Sequence, residues 1–359
     1  MDEPMQAQTQ TQTLPFNFTG KATEYFGIWI VNVLLIVITL GLYMPWAKVR
    51  TRRYFYGNTL LDDSPFDFTG SPIAILKGYL LAIVFFAIYY AAINVYPLSQ
   101  FIFLILFLLC MPWIVVRSMI FRAHNSVFRN IRFGFKKDYM GAAKIFIGLP
   151  LLMLPTIGLI VPYLIYRQKR FFVDNSSFGT TPFSFHATAG PFYKYYAIVF
   201  LIPFIGVIAA IAIPAYHGYV TTAQSSSFIN SVDDPTGVSG IIENVTILGS
   251  MLIYLLMFSY LNARINNLVW NNIEIDNNNF SSSLRARDLF WLYLSNSFVI
   301  ILSFGLMVPW AKIRMARYRA SKLSLLAVTD LDGFVKNEQE QVNAIGEEVG
   351  EIFDVDIGL

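Results

Sequence analysis

One cysteine stands in 359 residues, Cys110, and it lies inside an apolar run. An intramolecular disulfide is excluded, and so is a cysteine-rich metal site. Histidine is nearly as scarce: His124, His186 and His217 are far apart in the chain and belong to no cluster with Cys or carboxylates. The sequence therefore offers no metal centre. It has no phosphate-cradling glycine loop and no dinucleotide fingerprint. No nucleophile can be matched to a base. The expectation is a protein with no cofactor, no metal and no enzymatic activity. Charge is short as well, 14% of residues against about 25% in an average soluble domain. A basic leader is also missing. Residues 1–14 are polar and rich in Gln and Thr, and they read as a disordered tail.

Apolar sequence takes the place of what is lacking. Hydrophobic residues make up 55% of the chain, Phe occurs 32 times, and the mean hydropathy is +0.53. Seven apolar runs, 25–46, 72–94, 100–116, 139–163, 192–213, 241–260 and 289–309, approach or exceed the ~20 residues a helix needs to cross ~30 Å of hydrocarbon. The expected fold is a mainly α polytopic membrane protein with about seven apolar helical segments. Its membrane domain is read as 15–334, followed by an acidic tail at 335–359. Residues 330–359 hold nine acids and one base, whereas the rest of the chain has 25 Lys and Arg against 14 acids. In the tail, Val335, Val342, Ile345, Val349 and Ile352 form one helical stripe. An amphipathic helix docked on a basic surface is expected there.

An internal repeat of about 50 residues organises the chain. The phrase PFNFTG at 15–20 returns as PFDFTG at 65–70. Arginines just beyond apolar runs mark the period: Arg50, Arg117, Arg167, Arg264 and Arg314. Five residues earlier stand Pro45, Pro112, Pro162 and Pro309; four earlier stand Trp46, Trp113, Tyr163 and Trp310. Eight residues later come Asn58, Asn125, Asn175 and Asn272, replaced in the fifth copy by Lys322. Sixteen and eighteen later lie Phe66 and Phe68, Phe133 and Phe135, Phe183 and Phe185, then Phe280 and Ser282. The fifth copy lacks this end, and Phe16 and Phe18 are a second half without a first. Three runs share [ST]-x-G-L-x-x-P, as TLGLYMP, TIGLIVP and SFGLMVP. Period-two aromatics around an Asn/Gly/Ser turn after each arginine predict short strand pairs at the junctions. The bland alternative is a loop whose Phe residues dip into headgroups.

Every junction is basic, while 95–100 and 214–240 carry no Lys or Arg. The positive-inside rule places the junctions and both termini in the cytoplasm and those two loops outside. Junctions separated by one apolar run can share a side only if 25–46, 139–163 and 289–309 are broken and re-enter; otherwise the repeats alternate in orientation. Asn32 and Asn296 are the matching polar residues inside apolar runs, and such residues commonly hydrogen-bond neighbouring helices.

At YMPWAKVRTRRYFYGNT and its echo VPWAKIRMARYR, the chain resembles the YjgN family of bacterial inner-membrane proteins, a domain family of unknown function. The resemblance covers nearly all of 15–359 and implies a bacterial cytoplasmic membrane. It implies no catalytic or binding residue. A local stretch, VIAAIAIPAYHGYVTTAQ at 207–224, is similar to the segment of type IV pilins that leads out of the membrane. It sits mid-chain with no processing site ahead of it and reads as a helix ending near Pro214. Basic and aromatic junctions beside a bilayer point to anionic headgroups as partners rather than to nucleic acid. Two functional readings follow. One is a membrane scaffold or regulator that presents a basic cytoplasmic layer. The alternative is a passive transporter or channel for a neutral or amphipathic solute, which would require polar groups such as Asn32 and Asn296 to converge on a cavity.

Overall fold

The computed structural model describes residues 12–201, 238–328 and 331–349. The N-terminal tail up to residue 11, most of the loop 214–240, the pilin-like stretch and the last ten residues lie outside them. Ten short strands close into one antiparallel barrel, in the order β1-β10-β9-β8-β7-β6-β5-β4-β3-β2. The strands are β1 (Gln12–Phe18), β2 (Thr59–Leu61), β3 (Ser64–Phe68), β4 (Ser126–Phe128), β5 (Ile131–Phe135), β6 (Ser176–Phe178), β7 (Thr181–Phe185), β8 (Ile273–Ile275), β9 (Asn278–Ser282) and β10 (Leu323–Ala327). At three to seven residues, they are shorter than the ~9–11 a membrane-spanning strand needs.

The expectation of a mainly helical protein with seven membrane segments and separate strand pairs is overturned. The strands form one closed barrel, and among the described residues three helices are long and apolar enough to cross a membrane: Pro72–Val95, Ser99–His124 and Leu248–Trp270. Period-two alternation reveals a local hairpin but not the strand that pairs with its other edge, so closure is invisible to it. A hydropathy window likewise runs straight through a turn made of apolar residues.

Four tight hairpins build most of the barrel, each with a two-residue loop: β2–β3, β4–β5, β6–β7 and β8–β9. Asp62 and Asp63 have φ 49° and 53°, and Arg129 and Asn130 have 46° and 66°. Positive φ at both positions is the turn type whose twist matches paired strands. The fifth hairpin-like pair is made of chain ends: β10 meets β1 through Leu325↔Leu14 and Leu326↔Thr13. Phe16 and Phe18, a second half with no first half in the sequence, are thus completed by β10 from the far end of the chain. β1 begins at Gln12, within the stretch read as a tail.

The barrel is filled rather than hollow. Phe66 stacks on Phe128 with ring centroids 4.6 Å apart, Phe133 meets Phe178 at 5.2 Å, and Phe183 reaches Phe280 at 6.5 Å. Phe16, Leu61, Ile275 and Leu325 complete the same cluster. Phe68 and Phe185 sit one pleat nearer the helices, 1% and 6% exposed, where they pack on helical side chains; Phe135 is half-buried.

Between strand pairs the chain leaves the barrel as helices and returns to it. The helices are α1 (Ala22–Ile38), α2 (Met44–Gly57), α3 (Pro72–Val95), α4 (Ser99–His124), α5 (Tyr139–Ala143), α6 (Leu149–Leu151), α7 (Val161–Asp174), α8 (189–201 as described), α9 (Val238–Trp270), α10 (Ala286–Leu302), α11 (Val308–Ala320) and α12 (Leu331–Val349). A π-helical turn, Lys144–Gly148, joins α5 to α6. Both ends of α1–α2, α3–α4, α5–α7 and α10–α11 join barrel strands, so all five basic junctions lie at one barrel.

The [ST]-x-G-L-x-x-P pattern is the tip of each short hairpin. Gly41, Gly158 and Gly305 have φ +93°, +78° and +88°, each after a left-handed residue, Leu40, Ile157 or Phe304. Their N–H groups donate five residues back, to Ile36, Met153 and Ile300, which closes the outgoing helix in a Schellman-type cap. The Thr39 hydroxyl accepts the Tyr43 N–H at 3.0 Å, and the Ser303 hydroxyl accepts that of Met307 at 3.0 Å. The next residue but one is the proline, at the first turn of α2, α7 or α11, where its missing N–H costs nothing.

α12, the described part of the acidic tail, closes the hairpin-turn end of the barrel. Leu331 and Val335 join its core, and Phe334 stacks on Phe178 at 6.0 Å. The carboxylate of Glu338, 3% exposed, accepts the Thr180 N–H at 2.9 Å and the hydroxyls of Thr180 and Thr181. Arg129 bridges Asp62 and Asp332. The tail helix thus docks on barrel turns. Of the basic junction residues, Arg129 ties it down; Ile345, Val349 and Ile352 have side chains outside the described set.

Candidate functional site

The asparagines eight residues after each arginine end the returning helices. Asn58, Asn125, Asn175 and Asn272 each donate from Nδ2 to the carbonyl four residues back, at 2.8, 2.8, 2.9 and 2.8 Å. Their own carbonyls accept from Thr19, Thr69, Lys136 and His186 at 3.0, 2.9, 2.8 and 2.9 Å, stitching the start of one strand to the end of its neighbour. Lys322 keeps the carbonyl bond, to Ser283 at 2.9 Å, and lacks the amide. These positions fix the barrel rather than a ligand.

Pro45, Pro112, Pro162 and Pro309 are all buried on the returning helices, and Pro112 lies inside α4. In α9 the corresponding residue is Ser259, 1% exposed, whose hydroxyl donates to the Leu255 carbonyl at 2.7 Å. The arginines mostly meet the aromatic residues ahead of them. Arg117 lies over Trp113 at 5.9 Å, Arg264 over Tyr260 at 5.6 Å and Arg314 over Trp310 at 5.2 Å. Trp46 stacks on Tyr43, and Tyr163 meets Tyr166 at a tilt of 46°, both at 6.0 Å. Arg50 is exposed and Arg167 half-buried.

Asn32 and Asn296 are buried, 4% and 7% exposed. Asn296 accepts from Arg314 at 3.1 Å, while Asn32 Oδ1 has no partner among the described residues. They sit on α1 and α10, each packed on α11. Neither lines the main cavity described below, so the two are not brought together across it.

Two tyrosines escaped the sequence reading. Tyr54 and Tyr318 lie four residues after Arg50 and Arg314. Their hydroxyls accept the N–H groups of Lys21 and Arg285, at 2.8 and 3.1 Å, and approach Glu24 and Asp288. Burial is the first cause that raises the pKa of each. The acids at the starts of α1 and α10 are thus held by phenols as well as by the helix dipole. The signal was available, since Tyr recurs at the same offset from the repeat arginine.

A cavity of about 610 Å³ lies where the barrel meets its helices. Phe16 and Phe18 of β1 wall it on the barrel side, with Phe55 of α2, Trp270 of α9, and Lys312 and Arg319 of α11. Among the described residues no carboxylate lines it. Lys312 reaches the Tyr25 hydroxyl and Arg319 that of Tyr293, both at 3.5 Å. Among the described residues neither forms an ion pair. Two cations outside the cavity lining are perturbed by their surroundings. Burial lowers the pKa of Arg52, and repulsion from Arg122 lowers it further; burial alone lowers that of Lys169. A shallower groove of about 460 Å³ runs between α10 and α11 past Trp291, Arg314 and Tyr318.

The sequence profile of DUF898, described as a bacterial protein of unknown function, matches residues 13–352. The chain belongs to this family. The inner membrane protein YjgN of Salmonella typhimurium strain LT2 is 25% identical over 366 residues, covering 90% of this chain and 91% of the relative. The YjgN of Escherichia coli K12 is 25% identical over 384 residues, covering 91% and 92%. No solved structure matches. With relatives of that name and three helices of membrane-crossing length, this is a bacterial inner-membrane protein.

Proposed function

We propose that this chain is a multi-pass membrane scaffold or regulator that seats a closed barrel on the cytoplasmic face of the inner membrane and presents a basic layer to anionic headgroups. The observation that carries this reading is convergence: each basic junction belongs to the same barrel, so all lie on one side of the helices. In this reading the long helices α3, α4 and α9 cross. The short hairpins dip into the near leaflet, led by Leu40, Ile157 and Phe304, which are 94%, 91% and 97% exposed. The recurring asparagine caps support a single unit used repeatedly.

The alternative, a passive solute path, has less behind it. The barrel is packed with phenylalanines, and the intramembrane asparagines pack on helices rather than on a common channel.

Single cysteines in a Cys110→Ala background test the arrangement. Leu98→Cys, in the tip between α3 and α4, should react with an impermeant thiol reagent on intact spheroplasts. Asp63→Cys, in a barrel turn, should react only after permeabilisation. Leu40→Cys should stay unlabelled from both sides. Labelling of Asp63→Cys from outside would overturn the reading.

A further inference from the structure

The cavity at the barrel base has a composition that selects one class of occupant. Its walls are mostly apolar, with four aromatic rings, its polar groups are Lys312, Arg319, Asn266 and small hydroxyls, and no acid is among its described lining residues. Lys312 and Arg319 are exposed, and with no ion-pair partner among the described residues they leave two positive charges open to an anion that enters the cavity. Its volume falls in the ~300–1,000 Å³ range of small-molecule sites.

Barrel closure decides what can reach it. Since β10 pairs with β1, the α10–α11 and α1–α2 hairpins become neighbours, with α1 packed against both α11 and α2. Elsewhere round the ring, short hairpins are separated by long ones. Here two short hairpins stand side by side, and α2 and α11 are the returning limbs that wall the cavity. α10 ends at Leu302 and α1 at Ile38. This sector thus sets the short apolar limbs α1 and α10 beside the long α9, whose Asn266 and Trp270 also wall the cavity, and the near leaflet can rise toward it past the ends of the short limbs.

We propose that this cavity binds the phosphate-bearing head of one anionic membrane lipid, with Lys312 and Arg319 pairing the phosphodiester and the acyl chains descending between the two short hairpins. Phe55 and Trp270 flank the glycerol region, and Asn266 supplies a neutral donor. The inference rests on the reading of the basic layer as lipid-facing, and goes beyond it by naming a single stoichiometric site.

The test uses the full-length protein in detergent, observed by native mass spectrometry during titration with phosphatidylglycerol or with phosphatidylcholine of the same chains. The expected result is one retained phosphatidylglycerol per chain, with phosphatidylcholine binding at least about tenfold more weakly, the scale of two basic contacts at ~1 kcal/mol each. Lys312→Gln with Arg319→Gln should weaken that first lipid at least about tenfold, and Arg287→Ala, away from the cavity, should not. Ala316→Trp keeps every charge but fills the cavity, so it should also displace the lipid; this variant decides the matter if the double variant is unstable. Glycerol phosphate, the head without chains, should not compete at millimolar concentration. Competition by it would assign the site to a soluble anion and overturn the lipid. Equal binding of the two lipids, or native affinity in both cavity variants, would overturn the site. If Arg287→Ala costs as much as the double variant, a diffuse basic surface binds lipid and the cavity does not. Only the labelling experiment bears on the sidedness of the scaffold, so the two readings fail separately.

Discussion

Two parts of this molecule tolerate different amounts of variation. The barrel repeats one hairpin with almost no freedom: four loops of two residues, the same facing positions, the same capping amide. The helical excursions vary from limbs of 17 residues in α1 and α10 to 24 and 26 in α3 and α4. At 1.5 Å per residue these are about 25 Å against about 36–39 Å, on either side of a ~30 Å hydrocarbon core. A strand register is all or nothing, because a slip of one residue exchanges inside for outside. A hairpin that leaves the barrel and returns constrains only its two ends. Repetition is therefore strict where pairing is shared and loose where it is not.

The contrast can be broken at its strong end. Phe178 is 4% exposed and touches Phe128, Phe133 and Phe334. Phe178→Ala should cost about 3–5 kcal/mol, read as a fall in the thermal unfolding midpoint in detergent, together with easier proteolytic removal of α12. At the hairpin tips the effect should be smaller and purely conformational. Gly158 has φ +78° and open space around its Cα, so Gly158→Val should cost about 1–3 kcal/mol from backbone strain alone; an unchanged midpoint would mean the tip relaxes freely. The junction amides mark the small end. Asn175→Ala should lose about 1 kcal/mol, one hydrogen bond, and Lys322→Asn should gain a similar amount by supplying the cap the fifth unit lacks. If the two shifts share a sign, the caps are not equivalent.

Much of this was legible in the sequence, but unevenly. The arginine, asparagine and phenylalanine offsets marked each junction, since strands and caps depend on neighbours close in the chain. The [ST]-x-G-L-x-x-P breaks were visible, and the structure shows them as turns with left-handed glycines. What could not be read was closure. A three-residue strand such as Thr59–Leu61 carries too little pattern to name its second partner, and the Leu14–Leu325 pairing joins residues from opposite ends of the chain. Asn32 and Asn296 matched in sequence, yet one is held by Arg314 and the other Oδ1 has no partner among the described residues. The cavity was hidden because its walls come from β1, α2, α9 and α11 together.

The seam between β1 and β10 also sets a schedule. During synthesis the first strand leaves the ribosome more than 300 residues before the strand it must pair with on that side. For most of translation the growing sheet is an open strip with two free edges, and free edges invite wrong partners. Each helical excursion is bounded by strands close in sequence, but the barrel becomes a closed object only after the last strand is made. Emergence of β10, rather than the folding of any one helix, is the event that closes the barrel, and a nascent chain stalled before residue 323 should remain open to edge pairing with its neighbours.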